Sequence, residues 1–589
     1  MMQETKTCQN CKIQFTIEPD DFAFYEKIKV PPPTWCPTCR RVRRMMFRNE
    51  RALYYGVCGL CKKNMLSTYA PDSPFTAYCK ECWFSDQWDP LSYGVDYDWN
   101  KPFFEQFLDL KIRVPRLARM IVRENINSDY ANFVTGSKNA YLAYSIVRSE
   151  NIMYSRVVDD SRECLDCSDL QQSELAYENI QSDNTNRTKY LYACTACINA
   201  SFLFDCVNCQ NCFMSSNLRS RQYVFRNTQL TKEEYQKKIK EFRWGSHKEV
   251  QVLYNEYLAM TRTALHKYGD ILKSVNCSGN NIMESKNVHY SFDIYNTEDA
   301  KYCDRLIGGS KDYYDVYGSA SGELHYEGMA VTYGGARTKF VLIGDAMQDS
   351  HYTDYCLNSS YLFGCIGLQK KSYCILNKQY GEKEYKALIP KIIEHMNAMP
   401  YTDEGGRVYR YGEFFPPYQY AYNESIAQEY FPLTEDEVRS RGYRWRAPDV
   451  KQHQATLRPS EIPDDITEIK DDILEQIIGC THAGTESKGC NEQCTRAFRI
   501  TLQELQFYRQ LTIPIPHLCP NCRHYQRLKI RNPLKLWHRK CMCDYQVHEN
   551  STKHMHHPEG KCSNEFETSY PPERPEVIYC EQCYNAEIV

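Results

Sequence analysis

The feature that most limits what this chain can fold into is a cysteine pattern written twice. Val30 to Asn49 reads VPPPTWCPTCRRVRRMMFRN and Ile513 to Asn532 reads IPIPHLCPNCRHYQRLKIRN, an offset of 483 residues. With that offset held without gaps, Phe15/Phe498, Ile17/Ile500, Phe24/Phe507, Tyr25/Tyr508, Pro31/Pro514, Pro33/Pro516 and Leu53/Leu536 also coincide, so the two segments are copies of one module. The first copy carries Cys8/Cys11, Cys36/Cys39, Cys58/Cys61 and Cys79/Cys82 as close pairs. The second carries Cys490/Cys494, Cys519/Cys522, Cys541/Cys543 and Cys580/Cys583. Intervals of 24 and 18 residues separate the first three pairs in both copies, whereas the last interval grows from 17 to 36, which places an enlarged loop in the second copy.

Close cysteine pairs suit zinc, because a tetrahedral ion takes four soft ligands and a pair on a tight turn supplies two at little ordering cost. Eight cysteines per copy make two sites, hence about four ions in all. Such a site contributes about 10–16 kcal/mol of apparent binding energy, enough to fold a ribbon with a thin apolar core. A redox CxxC would sit in a βαβ pattern, which these segments lack. Consecutive and cross-braced pairing fit the spacing equally well. The enlarged loop adds His548, His554, His556, His557 and Cys562, and Cys480 and His482 precede the copy. Cys480, His482, His554, His556 and Cys562 are therefore candidates for a fifth or sixth ion, with a solvated His-rich loop as the equal alternative.

Between the copies the texture changes. Serines at 137, 149, 161 and 173 open segments of twelve residues, SKNAYLAYSIVR, SENIMYSRVVDD, SRECLDCSDLQQ and SELAYENIQSDN. A short fixed period with few helix signals predicts stacked β coils, twelve residues being a whole small coil or half of a larger one. In that register Cys194 and Cys206, and Cys197 and Cys209, fall on adjacent coils. This two-by-two set is either a metal site or small core packing. At an offset of 150 residues Phe213/Phe363, Leu218/Leu368, Tyr223/Tyr373, Asn227/Asn377, Gln229/Gln379, Glu234/Glu384, Tyr235/Tyr385 and Ile239/Ile389 coincide, so the coil region is itself duplicated. Each half runs into a helix signal, with Thr231 as N-cap of the first.

The predicted fold is mainly β with short helices: a duplicated β-solenoid-like centre flanked by two treble zinc-ribbon modules. The boundaries are 1–92 for the first module, 93–124 for a helical connector, 125–229 for solenoid half 1 and 230–273 for a helical insert. Then follow 274–380 for solenoid half 2, 381–479 for a helix and Pro/aromatic connector, and 480–589 for the second module. The modules are expected to fold back and cap the open solenoid ends.

A formal charge of −3 and a pI near 6.6 argue against bulk coating of nucleic acid. Local contact remains open, because Arg40, Arg44 and Arg48 fall four apart and recur as Arg523, Arg527 and Arg531. Arg41, Arg43, Arg44, Arg51 and Arg527 are the candidate nucleic-acid contacts, with Trp35, Phe47, Tyr54 and Tyr55 near enough to stack on bases. The competing reading is structural: zinc on four thiolates carries two net negative charges, which neighbouring arginines offset. Of the arginines, Arg41, Arg43 and Arg51 are those expected to be free for a surface.

No P-loop, dinucleotide-binding glycine motif, HExxH or GxSxG is present, and no residue is singled out as catalytic. The enzyme to imagine is a β-helix acting on a carbohydrate or other polymer. No apolar run of 18 residues occurs and no apolar stretch follows the first residues, which predicts an intracellular chain without a membrane span.

CQNCKIQFTIEPDDFAFYEKIKVPPPTWCPTCR, YCKECWFSDQWDPLSYGVDYDWNKPFFEQF, EYFPLTEDEV and RNPLKLWHRKCMCDYQ together resemble a family of large cysteine-rich zinc-ribbon proteins of giant DNA viruses and reduced-genome bacteria. The resemblance spans nearly the whole chain and implies zinc binding, and for a viral member a cytoplasmic, virion or viral-factory location. Some members carry a CaiB/BaiF-type CoA-transferase label, for which these residues offer neither an active-site aspartate in context nor a CoA-binding pattern. The expected role is an intracellular scaffold that binds a macromolecule, protein first, with RNA or single-stranded DNA as the alternative partner.

Overall fold

The computed structural model describes residues 3–122, 124–331, 333–447, 454–484, 493–548 and 550–589. Strand outweighs helix, 35% to 24%, and one sheet contains 14 parallel strands. A second sheet of ten strands covers the later half of the middle region.

From Asn132 onward, four-residue strands recur every six residues, and each pairs in parallel with the strand twelve residues on. Tyr144 lies opposite Arg156 and Ile146 opposite Val158; on the neighbouring side Glu150 lies opposite Arg162 and Ile152 opposite Cys164. Twelve residues thus close one whole coil. The later half keeps nearly the same step, with Phe292 opposite Asp304 and Ser310 opposite Gly322.

The coil turns so tightly because every third residue is left-handed. Asn139, Leu142, Ser145, Arg148, Asn151, Tyr154, Val157, Asp160, Glu163, Asp166, Asp169 and Gln172 all have φ between 44° and 60°. The residue after each of them points inward: Ala140, Ala143, Ile146, Ser149, Ile152, Ser155, Val158, Ser161, Cys164, Cys167, Leu170 and Ser173 are all buried. Left-handed backbone costs an ordinary residue about 1–2 kcal/mol, so a stack of such corners persists only through the ladder bonds and the packing between coils. An interior this narrow admits only small or slim side chains. The serine period has its reason here as well, since each Ser hydroxyl accepts the amide of the next coil. Ser149 N, Ser161 N, Ser173 N and Thr185 N donate to Ser137, Ser149, Ser161 and Ser173 Oγ at 3.0–3.1 Å, which satisfies buried donors that the ladder leaves over.

The two stacks end alike. Val224–Phe225 and Ser372–Ile375 turn back in antiparallel hairpins with Thr228–Gln229 and Lys378–Gln379. At the bend stand Asn227 and Asn377, both left-handed, whose Oδ1 atoms accept Ser216 N at 2.9 Å and Ile366 N at 2.7 Å. Helices Lys232–Lys240 and Glu382–Ala398 follow and bury Tyr235 and Tyr385; Thr231 caps the first through a capping box with Glu234. These ends are closed by hairpin and helix, whereas module strands join the residues just before the first rungs: Ala77–Tyr78 pairs in parallel with Arg116–Leu117, and Val577–Tyr579 with Leu265–Lys267. The arginine helices of the modules lie against the flanks of the stacks, and the Pro/aromatic segment buries Phe414, Phe415, Ile426 and Ala427 in one core with Phe47, Phe107 and Tyr352.

Burial also fixes the charge state of histidines inside the molecule. His266 and His325 are enclosed, and burial lowers both from 6.5 to about 4. Unfolding returns each to its ordinary value, so their contribution is complete above pH 6.5 and is lost as pH falls toward 4. The melting temperature is expected to fall between pH 7 and pH 5, and His325→Gln to flatten the stability-versus-pH slope by up to about 1.4 kcal/mol per pH unit. Thermal melts of both proteins across that range check it; an unchanged slope would mean that the ring is charged in the fold.

Candidate metal centres

In the first module a hairpin, Glu4–Thr7 with Gln14–Ile17, carries Cys8 and Cys11 on its turn. The turn is shaped for ligation: Cys8 N donates to Ile13 O at 2.9 Å and Lys12, left-handed at φ 62°, donates its N–H to Cys8 O at 3.0 Å. Cys36 caps helix α1 (Pro37–Met45) and Cys39 stands in its first turn. Cys11 and Cys36 Sγ lie 3.7 Å apart, and Cys36 N donates to Cys8 Sγ at 3.2 Å. A second hairpin and a short helix repeat the device with Cys58, Cys61, Cys79 and Cys82, Cys61 and Cys79 Sγ being 3.8 Å apart. Four sulfurs bound to one zinc at about 2.3 Å stand about 3.8 Å from one another. The pairing is therefore consecutive, Cys8/Cys11 with Cys36/Cys39 and Cys58/Cys61 with Cys79/Cys82, and each group could hold a metal ion.

The second module uses the same construction with two ligands other than those expected. Cys480 joins Cys494, Cys519 and Cys522, with Cys480–Cys522 and Cys494–Cys519 sulfur distances of 3.9 Å. Cys519 N donates to Cys480 Sγ at 3.3 Å, as Cys36 N does to Cys8. Cys490, expected in this place, lies outside the described residues, and His482, two residues after Cys480, is not one of the four. In the other site Cys562, not Cys543, joins Cys541, Cys580 and Cys583, at 3.7 Å between Cys541 and Cys583 and 3.9 Å between Cys562 and Cys580. Cys562 N bonds Cys543 O and Cys541 N bonds Asn564 O, so Cys541 and Cys562 form one knuckle around an inserted loop. The sequence carried an unused signal for this: 17 residues separate Cys562 from Cys580, as they do Cys61 from Cys79. Both insertions of the second module fall inside knuckles, not between them.

Hydrogen bonds favour the thiolate at one sulfur of each group in the first module. Burial alone would raise Cys58, but the amides of Cys79, Cys61 and Leu60 bring it down to about 6. Cys8 is held far below the ordinary thiol range by hydrogen bonds from Cys36 and Cys39. Thiolates are the form that binds zinc.

The arginines after each knuckle face inward. From α1, Arg40 Nε and Arg44 Nη1 reach Asp315 at 2.9 and 2.8 Å, and Arg43 Nη2 reaches Glu327 at 2.8 Å. Arg43 Nη1 also bonds Glu413 at 3.0 Å, and Arg41 Nε bonds Asp304 at 2.9 Å. From helix α2 (Pro520–Ile530) of the second module, Arg523 and Arg527 meet Asp166 at 2.9 Å, and Arg527 also meets Glu178 at 2.9 Å. Asp315 and Glu327 are twelve residues apart, as are Asp166 and Glu178, so each arginine helix grips consecutive coils at left-handed corners. The grip is crossed: the first module holds the second stack and the second module holds the first.

Arg41, Arg43, Arg44 and Arg527, expected as nucleic-acid contacts, are thus buried in ion pairs, with side-chain exposures of 7, 1, 0 and 1%. Arg51 is half-buried, donating to Asn521 Oδ1 at 2.8 Å. Trp35 and Phe47 are buried as well, Arg43 lying 4.3 Å over the Trp35 ring. The reason is desolvation: a helix pressed against coil edges lined with carboxylates needs counter-charges, and guanidinium supplies them with directional bonds. Burial pushes Asp315 up, yet Arg40 and Arg44 outweigh it and hold the carboxyl below its usual range.

The central cysteines occupy inward positions of the coil. Cys194, Cys197, Cys206 and Cys209 are buried, and each sulfur contacts the carbonyl two residues before it at 3.3–3.6 Å. Serines elsewhere in the stack make the same contact, so these thiols fill the place of a serine rung.

No family model matches the chain, and no curated protein matches it. Among solved structures, one match is described as a "putative acetyltransferase" from Desulfovibrio desulfuricans G20, at 8% identity over 45% of this chain and 69% of that one. Its TM-score is 0.09, and it carries no argument.

Two outcomes follow from the clamp and the sites. Asp315→Asn leaves Arg40 and Arg44 buried without their shared counter-charge and is expected to cost about 3–5 kcal/mol, read by denaturant unfolding. Cys36→Ser is expected to remove one metal ion per chain and to open the first module to protease, read by elemental analysis and limited proteolysis; unchanged metal content would reject that group.

Proposed function

We propose that the chain is a zinc-stabilised scaffold in which two zinc-ribbon modules clasp a duplicated β-solenoid, and that the solenoid presents its free sides to a macromolecular partner, in the first place a protein. The observation that carries this reading is which sides of the coil are occupied. In the first stack Tyr144, Arg156, Ser168 and Ile180 are buried against the rest of the chain, and the neighbouring side of Tyr154, Asp166 and Glu178 receives the second module. The other two sides are open. One carries Lys138, Arg162, Glu174, Ile198, Gln210 and Gln222; the other carries Arg148, Asp160, Gln172, Asn184, Asn208 and Ser220; all twelve are exposed. Rungs about 4.8 Å apart give a flat, regular, mostly polar surface, the kind of extended face through which repeat proteins bind partners.

The alternatives have less support. An RNA or single-stranded DNA reading rested on arginines that are now spent on carboxylates. A polymer-cleaving β-helix enzyme needs a carboxylate pair in a cleft. The crevice beside Trp83, lined by Asn49, Arg116, Arg119, Asn132 and aromatic side chains, offers no carboxylate among its lining residues. Among the described residues no helix is long and apolar enough to cross a membrane.

The test is purification of the native protein with whatever it holds, beside the triple variant Lys138→Glu, Arg148→Glu, Arg162→Glu. Lys138 and Arg148 make exposed ion pairs, worth about 0–1 kcal/mol, and Arg162 is exposed, so the fold is expected to survive. The variant should lose a protein partner that nuclease leaves in place. Retention of that partner by the variant would reject the face, and release by nuclease would favour the nucleic-acid reading.

A further inference from the structure

Around the enlarged knuckle of the second module, two ligand sets share a sulfur. Cys541, Cys562, Cys580 and Cys583 form one group; Cys543, His554, His557 and Cys583 form another, with the ligand atoms of each within 4.8 Å of one another. We propose that these residues hold a binuclear zinc centre in which the Cys583 thiolate bridges the two ions. The proposal goes beyond the scaffold reading and rests on it only in taking zinc as the metal of the four-cysteine groups.

The distances suit a second tetrahedron. Cys543 Sγ lies 3.4 Å from His554 Nδ1, His554 Nδ1 lies 3.2 Å from His557 Nε2, and His557 Nε2 lies 3.1 Å from Cys583 Sγ. Around zinc, nitrogen–nitrogen and nitrogen–sulfur edges are about 3.3 and 3.6 Å, so modest expansion admits the ion. Two further features indicate ligation. His554 is 1% exposed, and its other nitrogen, Nε2, is 2.8 Å from Glu587 Oε1. A carboxylate there fixes the tautomer that frees Nδ1 for a metal. Glu587 and Cys583 stand one turn apart on helix α3 (Glu581–Ile588), which aims the carboxylate and the bridging sulfur from one face.

Charge balance points the same way. Four thiolates on one zinc leave two negative charges, whereas five thiolates, two neutral imidazoles and two zinc ions leave one. The remaining charge has donors nearby: Asn550 Nδ2 is 3.3 Å from Cys543 Sγ, and Asn564 Nδ2 is 3.3 Å from Cys580 Sγ. His556 Nε2 stands 3.3 Å from Cys583 Sγ and 3.6 Å from Cys562 Sγ, within reach of both thiolates for the tautomer that carries its proton on Nε2.

The second ion also gives the insertion a reason to be ordered. In the first module two residues separate Cys58 from Cys61, while twenty separate Cys541 from Cys562. The added loop hides little apolar surface, since Val547 is 71% exposed and Met555 fully so. Its anchors are polar: Ser551 N and Oγ bond Glu587 Oε2 at 2.8 and 2.6 Å, beside the histidine ligands. A metal supplies the cohesion that an apolar core supplies elsewhere.

Elemental analysis of the full chain is expected to give one ion beyond the four all-cysteine groups. His557→Ala and Cys543→Ser should each lose one ion per chain while the others stay. Glu587→Gln, which keeps a hydrogen-bonding group, should weaken retention of that ion about 10–100-fold against a chelator. With cobalt(II) in place of zinc, a shared thiolate couples two of the spins magnetically, and His557→Ala should abolish the coupling. Unchanged metal content in His557→Ala, or uncoupled spins in the full cobalt protein, would overturn the bridge. A chain that holds no metal at all would instead overturn the zinc reading of the four-cysteine groups.

Discussion

The buried contacts between arginine helices and coil-edge carboxylates hold this molecule in one arrangement. Taken alone, neither partner is stable in its place. Asp315 and Glu327 are fully enclosed carboxylates, and Arg40, Arg43 and Arg44 are fully enclosed guanidinium groups. Removing such charges from water costs several kcal/mol each, recovered only when geometry and hydrogen bonds are good on both sides. The first requirement is met by the cysteine knuckle, which sets the start of α1 and so aims its arginines. The second is met by the twelve-residue coil, which places successive acids one rung apart. Knuckle and coil period are thereby coupled: a slip of either would leave buried charge unpaired.

That coupling accounts for the survival of two duplications with different offsets in one chain. The modules repeat with one spacing and the stacks with another, yet Arg523 and Arg527 find Asp166 and Glu178 as Arg40 and Arg44 find Asp315 and Glu327. Each copy of the helix has kept the partner geometry of its own stack. The copies are unequal in the lengths of the segments within Cys480–Cys494 and Cys541–Cys562.

Much of this was legible from residues alone, for reasons that can be stated. The serine spacing is read directly because every rung needs the same small acceptor at the same corner, and the duplicated asparagines Asn227 and Asn377 recur because each stack must end. The arginines stayed between two readings for an equally definite reason. Arg44 pairs with a carboxylate 271 positions away, and neither charge counting nor helical spacing says whether a guanidinium meets phosphate, water or aspartate. Cys541 and Cys543 were read as one knuckle because closeness in sequence was taken as its mark, although the interval to Cys580 also singled out Cys562. Cys480 lacked a neighbour at knuckle spacing and drew attention only as an outlier.

The crossed grip has a consequence for how the chain comes to be assembled. On a ribosome the first coil stack emerges long before the helix that neutralises it: Glu178 waits for Arg527, 349 residues downstream. The second stack, by contrast, is born with its clasp already made, since the first module precedes it. Until α2 has been made, Asp166 and Glu178 have no guanidinium from the second module to pair with.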